Sequence, residues 1–256
     1  MGLERFVSGD SLCYGRAMSN RRPPSQAVTK SAAKSAAVHP TLEVEARLWQ
    51  AGFGRVAGVD EAGRGALAGP VVAGAVIVPI LAQPETLPPP WDQVRDSKVL
   101  SPARREALFP LVQAASLAWG IGEASAQEID QMGIAPATRL AMQRAIEALS
   151  PPPDHLIIDW VRLDRVNLPQ ESFVKGDARM VSIAAASILA KVHRDRLMVA
   201  LGEIYPEYGF AQHKGYGATG HMTALAALGP CPVHRHTFSP IAQKPTLFDQ
   251  KAASHA

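Results

Sequence analysis

An α/β domain is what this sequence predicts. Short apolar runs of strand length, rich in Val, Ile and Ala, alternate with longer segments of helical periodicity. Helix-start signals stand between them. Ser101-Pro102 offers an N-cap with proline at the first helical position, and Ser125-x-x-Glu128 is a capping box. The 256 residues, 47% of them hydrophobic, suffice for one sizeable core with a small appended lobe.

Residues 1–40 are dominated by Ser, Ala, Arg and Lys and are expected to form a disordered basic extension. A transit peptide shares that composition, but Met18 offers an alternative start, which favours the plainer reading. The folded domain is expected over 41–240, with a helical C-terminal part from about 205 and a flexible tail over 241–256. Thr41 and the acids after it fit a helix start, and that helix runs to Gly52. Val56–Asp60 and Val71–Val78 are strands around the turn Gly63-Arg64-Gly65, and residues 82–93 form a Pro-rich loop. The Ser101 cap opens a helix, and Leu117–Glu123 alternates as a strand does. A further helix runs from the capping box past Gly133 to Leu149.

Pro151–Pro153 break the chain. His155–Asp159 (HLIID) then has the pattern of a central buried strand ending in an acid. A short strand is expected at Phe173–Lys175. Asp177 precedes a long helix, Ala178–Ile204, whose Ala184–Ser187 segment gives a smooth face for packing on a sheet. A Gly-rich loop, His213–Gly217, leads to a helix at Thr219–Leu228, and the Pro-rich end from Gly229 is irregular. No internal repeat is present.

The net charge of +3 is compatible with nucleic acid without requiring it. Cys13 and Cys231 form no metal-ligand spacing and no disulfide framework, which points to a reducing cytoplasm. The longest apolar run, Val71–Leu81, is strand-sized, so no membrane association is expected.

Four carboxylates share similar settings: Asp60 and Glu61 at one strand end, Asp159 at another, Asp177 at a helix start. Acids brought to one rim of a sheet repel one another and stay protonated unless a cation sits among them. Hard divalent cations accept such all-oxygen ligation, and two of them about 4 Å apart can promote phosphodiester hydrolysis. Plainer readings stand beside this one. Asp177 serves equally as an N-cap, and neighbouring Asp60 and Glu61 point to opposite faces of a regular strand. Gly63 and Gly65 allow close backbone approach to a ligand, and Arg64 can pair with phosphate. Lys98, Lys175, Lys191, Arg194 and Lys214 suit a phosphate backbone, and Tyr216 offers a stacking ring. His213 either touches phosphate or caps its loop. His234 and His236 show no tight ligand spacing with it.

The segments GVDEAGRGALAGPVVAGAVIV, RDSKVLSPARREAL, KGDARMVSIAAASILAKVHRDRLM and YPEYGFAQHKGYGATGHMTALAALGPCPVHRHTFSP, in this order, closely resemble the ribonuclease HII family. The resemblance runs from Thr41 to Pro240. It implies a ribonuclease H-like fold with a mixed five-stranded sheet flanked by helices and a small helical C-terminal part. It implies an endoribonuclease, a monomer, that cleaves the RNA strand of RNA–DNA hybrids and cuts 5′ to single ribonucleotides in duplex DNA, leaving 5′-phosphate and 3′-hydroxyl ends. The family's metal-binding and catalytic acids fall on Asp60, Glu61, Asp159 and Asp177, which would hold two Mg²⁺ or Mn²⁺ ions. Gly63, Arg64, Gly65 and Tyr216 would read the ribose 2′-hydroxyl, the group that separates RNA from DNA. Ser97, Lys98, Lys175, His213 and Lys214 complete the expected substrate-binding set.

One departure stands out. The family usually has Asp-Gly at the third acid, and this chain has Asp159-Trp160, with Asp164 as an alternative acid. The second functional reading is therefore a hybrid-binding protein whose site Trp160 has spoiled. The segment Gln243–Phe248 (QKPTLF) is loosely similar to a sliding-clamp-binding peptide.

Overall fold

The computed structural model describes residues 39–242. The expected basic extension and tail, and the clamp-like segment at 243–248, lie outside the described residues.

Five strands form one sheet: β1 (Val56–Ala62), β2 (Val71–Ile77), β3 (Ala118–Ala124), β4 (His155–Asp159) and β5 (Gln170–Phe173). Their order is β3-β2-β1-β4-β5. The first three are antiparallel neighbours, and β4 and β5 add in parallel to β1, so the sheet is mixed. The register that sets Val59 opposite Ile158 brings the ends of β1 and β4, and with them Asp60 and Asp159, side by side.

Seven helices accompany the sheet: α1 (Glu43–Gln50), α2 (Pro102–Ala115), α3 (Ala126–Met132), α4 (Ile134–Glu147), α5 (Val181–Ile204), α6 (Phe210–His213) and α7 (Thr219–Leu228). Ser101 caps α2, and the capping box at Ser125 and Glu128 closes both of its hydrogen bonds. Gly133, at φ 83°, separates α3 from α4, where the sequence pattern reads as one helix.

The sheet is a filling between two helical layers. Ala57, Val59, Ala73 and Ala75 face Ala137, Ala141, Met142 and Ala145 of α4. Val76 and Val78 face Val181, Ala184, Ala185, Ile188 and Leu189 of α5, with α2 beyond. The smooth Ala184–Ser187 face lies hard against the strands. A Cβ on Gly58 would stand 2.3 Å from the Ser182 carbonyl carbon, and one on Gly74 2.3 Å from the Ala186 oxygen. A smaller cluster of Met198, Tyr208, Phe210 and Cys231 fixes the helical C-terminal part.

Helix α5 begins at Val181, three residues later than the sequence suggests, because Gly176–Ala178 forms a separate 3₁₀ turn. Its start is held from α1. Buried Glu45 accepts hydrogen bonds from Ser182 N–H (3.0 Å), a donor that a helix start leaves free, and from Ser182 Oγ (2.7 Å). The fifth strand also moves, to Gln170–Phe173. It is an edge strand of polar sequence, and Lys175 beyond it turns into the left-handed region at φ 57°.

The α5 contact makes a stability prediction. Gly74→Ala should lower stability by about 3 kcal/mol, as overpacking against backbone does. Gly65→Ala, where a Cβ meets nothing within 4 Å, should change it by less than about 0.5 kcal/mol. Urea midpoints at unchanged slope measure both.

Candidate active site

Asp60 sits at the end of β1 on the α5 side of the sheet and is 3% exposed. Its Oδ1 accepts the Glu61 N–H at 2.8 Å, whereas Oδ2 is buried with no hydrogen-bond partner. Burial raises its pKa well above the usual carboxylate range, and the charges of Glu61 and Asp159 add to the shift. Ser187 of α5 partly offsets this. Its hydroxyl is bonded to Ser97 Oγ at 2.8 Å, so buried Ser97 supports the site from behind.

Asp159 ends β4. Its Oδ1 accepts the Gly176 N–H at 2.7 Å, which ties β4 to the 3₁₀ turn carrying Asp177. Burial and the charge of Asp177 raise its pKa, against the pull of the Gly176 hydrogen bond. Asp177 is 3% exposed and bonded to Lys98 Nζ at 2.5 Å. The N-cap of α5 is Met180, so capping does not explain Asp177. Lys98 also lies 3.9 Å from Asp96, an acid the sequence reading left unassigned, whose charge reaches Asp159. Burial disfavours the Lys98 ammonium, but its bond to Asp177 outweighs this and raises its pKa. Asp164 stands apart, 80% exposed and 3.8 Å from Arg162.

Glu61 is nearly enclosed, and burial raises its pKa. Trp160 closes over it. The indole N–H donates to both Glu61 oxygens, at 3.1 and 3.2 Å, and the Arg64 guanidinium lies 4.0 Å above the indole ring. Trp160 has φ 50°, and Val161 N–H donates to the Asp159 carbonyl at 2.7 Å, closing a three-residue turn with Trp160 at its centre. A glycine takes that conformation freely, whereas a bulky L-residue loses about 1–2 kcal/mol there. Trp160 therefore stands in a backbone conformation that favours glycine and packs its indole against Glu61.

The glycine turn is fixed by two fully buried arginines. Arg235 donates to the carbonyls of Gly63 (2.8 Å), Arg64 (2.8 Å) and Gly69 (3.0 Å). Arg194 donates to Pro70 (2.9 Å) and Ala68 (3.1 Å). Gly63, at φ 92°, packs where a Cβ would strike the Arg194 side chain. Sequence reasoning placed Arg194 along a phosphate backbone. Its full burial corrects that assignment, and Arg235 carries no local signal at all. Lys191 is tied to Asp195 at 2.7 Å.

The Tyr216 loop is joined to the same frame. Leu67 N–H donates to the Gly215 carbonyl, and Arg235 N–H to the Leu67 carbonyl, both at 2.8 Å. His213 lies between the Tyr208 carbonyl (2.7 Å) and Gly215 N–H (3.2 Å), so of its two readings the loop cap is the one seen. Lys214 turns back on the Ala211 carbonyl. Tyr216 is 37% exposed, its ring 5.2 Å from the Arg194 guanidinium. Lys175 is exposed beside Gly176.

Among the described residues, no three carboxylates, imidazoles or thiols are gathered tightly enough to hold a metal as they stand. Lys98 engages Asp177 and Trp160 engages Glu61 instead. The donors nevertheless fit a hard divalent cation. They are carboxylate oxygens that repel one another, and the buried Asp60 Oδ2 lacks any partner.

A mixed sheet with carboxylates at the ends of its central strands and a long helix against them defines an α/β nuclease of the ribonuclease H-like class. Residues 57–241 match the family model described as Ribonuclease HII. A ribonuclease HII from Roseiflexus castenholzii is 54% identical over 204 residues, covering 79% of this chain and 89% of that protein. The ribonuclease H2 structure from Pyrococcus horikoshii superposes with a TM-score of 0.61 at 26% identity, covering 73% of this chain and 95% of that one. A ribonuclease HII from Archaeoglobus fulgidus, solved in complex with PCNA, gives 0.59 at 25% identity, covering 76% and 99%. The chain belongs to the ribonuclease HII family and is a ribonuclease H-type endonuclease. No helix among the described residues is long and apolar enough to cross a membrane.

The raised Asp60 carboxyl makes stability depend on pH. Its stabilising effect is full below the unfolded value of 3.8 and is lost as pH rises through the higher folded value. In EDTA, Asp60→Asn should therefore gain in urea midpoint over wild type by a margin that widens as pH rises above 3.8. A margin that does not change with pH would refute the assigned shift.

Proposed function

We propose that this chain hydrolyses the RNA strand of RNA–DNA hybrids and cuts 5′ to single ribonucleotides in duplex DNA, leaving 5′-phosphate and 3′-hydroxyl ends. The observation that supports this reading is the pair of adjacent strand ends carrying Asp60, with its unpartnered buried oxygen, and Asp159, whose carboxylate is bonded to the turn of Asp177. The Gly63-Arg64-Gly65 turn follows directly on β1 and is pinned to the Tyr216 loop.

Asp60, Glu61, Asp159 and Asp177 would hold the cations. Two Mg²⁺ or Mn²⁺ ions, when bound, would supply Lewis-acid activation of water and charge neutralisation at the phosphate. The protein's own groups do the rest. Asp159 is bonded to the turn that carries Asp177, and the Ser187 hydroxyl, bonded to Ser97, partly offsets the raised Asp60 carboxyl. The clamped Gly63–Gly65 backbone offers polar groups to a ribose 2′-hydroxyl, with Arg64 toward phosphate. Tyr216 offers its ring to the adjoining deoxynucleotide. Lys98, Lys175 and Lys214 supply further positive charge for phosphate, with Lys98 held beside the acids by Asp177. His213 serves by shaping the loop.

The PCNA complex of the Archaeoglobus enzyme supports a sliding clamp as a second partner. The family match favours the enzyme over the binding-only reading, and Trp160 stands in a backbone conformation that a glycine also adopts.

A DNA duplex holding one ribonucleotide tests the reading. Wild type with Mg²⁺ or Mn²⁺ should nick 5′ to it, and EDTA or an all-DNA duplex should abolish nicking. Asp60→Asn and Asp159→Asn should each lower kcat at least about 10³-fold, whereas Asp164→Asn should stay within about twofold. Uncut duplex with wild type and metal would leave only the binding function.

A further inference from the structure

The indole of Trp160 joins two groups that belong to different tasks. One edge donates its N–H to Glu61 at 3.1 and 3.2 Å, and one face carries the Arg64 guanidinium at 4.0 Å. Arg64 Nη1 is itself 3.9 Å from Glu61 Oε1, so the three side chains close a triangle. Arg64 Nε is buried without a hydrogen-bond partner, which leaves the indole face as a main fixed contact of this guanidinium. The backbone at φ 50° is an outlier for so bulky a residue. Strain of that kind persists where surrounding contacts over-determine it.

We propose that Trp160 is a positioning residue that couples Glu61 to Arg64. Its N–H aims the Glu61 carboxylate into the acid cluster, and its ring holds the Arg64 guanidinium flat beside the glycine turn. The inference rests on Glu61 being a cation ligand. An ionised carboxylate has about four acceptor sites, so Glu61 can keep the indole bond while ligating. Outer partners of this kind orient ligands, and their loss weakens metal binding by about 10- to 100-fold. A ring beneath a guanidinium, in turn, restricts it to one plane before substrate arrives.

The two contacts separate by substitution. Trp160→Phe keeps a ring under Arg64 and removes the N–H. Trp160→Gly removes both and relieves the strained φ, so it should melt no lower than wild type. Mn²⁺ titration calorimetry without substrate should show about 10-fold weaker binding for both variants. At saturating Mn²⁺, KM for the single-ribonucleotide duplex should be unchanged in Trp160→Phe and raised about 10-fold in Trp160→Gly. Trp160→Phe within about twofold of wild type in Mn²⁺ affinity, or Trp160→Gly with unchanged KM, overturns the proposal. Asp60→Asn, titrated in parallel, keeps the two readings apart. If it binds Mn²⁺ like wild type, the carboxylate site itself is wrong. If it loses Mn²⁺ while Trp160→Phe does not, only the role of Trp160 fails.

Discussion

The close approach of α5 to β1 and β2 is the constraint on which the rest of the molecule depends. Helix and sheet meet backbone to backbone at Gly58 and Gly74, leaving no room for a Cβ. That contact fixes how far every other group on the helix lies from the strands. Ser187 reaches Asp60 because of it, and Asp177 stands at the head of the helix near the end of β4. Farther along, Arg194 meets the carbonyls of Ala68 and Pro70. Glu45 secures the helix start by bonding Ser182, so even α1 bears on the geometry of the site.

Against this rigid frame the carboxylates are held in mutual conflict. Folding brings three acids with raised pKa values to one rim, and none of them relieves the others. The protein tempers the conflict with groups from outside the acids. Lys98 places an ammonium on Asp177, and Trp160 offers a single N–H to Glu61. A rigid backbone with counter-groups that satisfy only part of the carboxylate oxygens suits a site that must admit cations. A site closed by permanent ion pairs would already have satisfied its oxygens.

Much of this was legible in the sequence, for identifiable reasons. His155–Asp159 and Thr219–Leu228 fall where the pattern places them, because one is a short apolar run and the other a periodic one bounded by glycines. The glycine and alanine runs reveal close packing directly. The β5 strand shifts because an edge strand of polar residues lacks the alternation that marks burial. The four acids emerge from strand ends and family motifs, but the pairing of Asp60 with Asp159 is a matter of register. The buried arginines were illegible. Arg194 has the local context of a surface residue, and the partners of Arg235 lie 166 to 172 residues away. Ser97 was expected to bind substrate and Asp96 carried no assignment, but only the fold shows Ser97 buried against Ser187 and Asp96 facing the charge cluster.

Arg235 gives the glycine turn an unusual dependence. The residues proposed to read the sugar lie early in the chain, yet three carbonyls in and beside them have their donors on one side chain near its end. Those carbonyls would otherwise be polar groups shut away from water. As the chain leaves the ribosome, the acids of β1 and β4 and the helix that braces them are made first. The turn takes its final shape last, when Arg235 arrives, so its geometry is a property of the finished molecule.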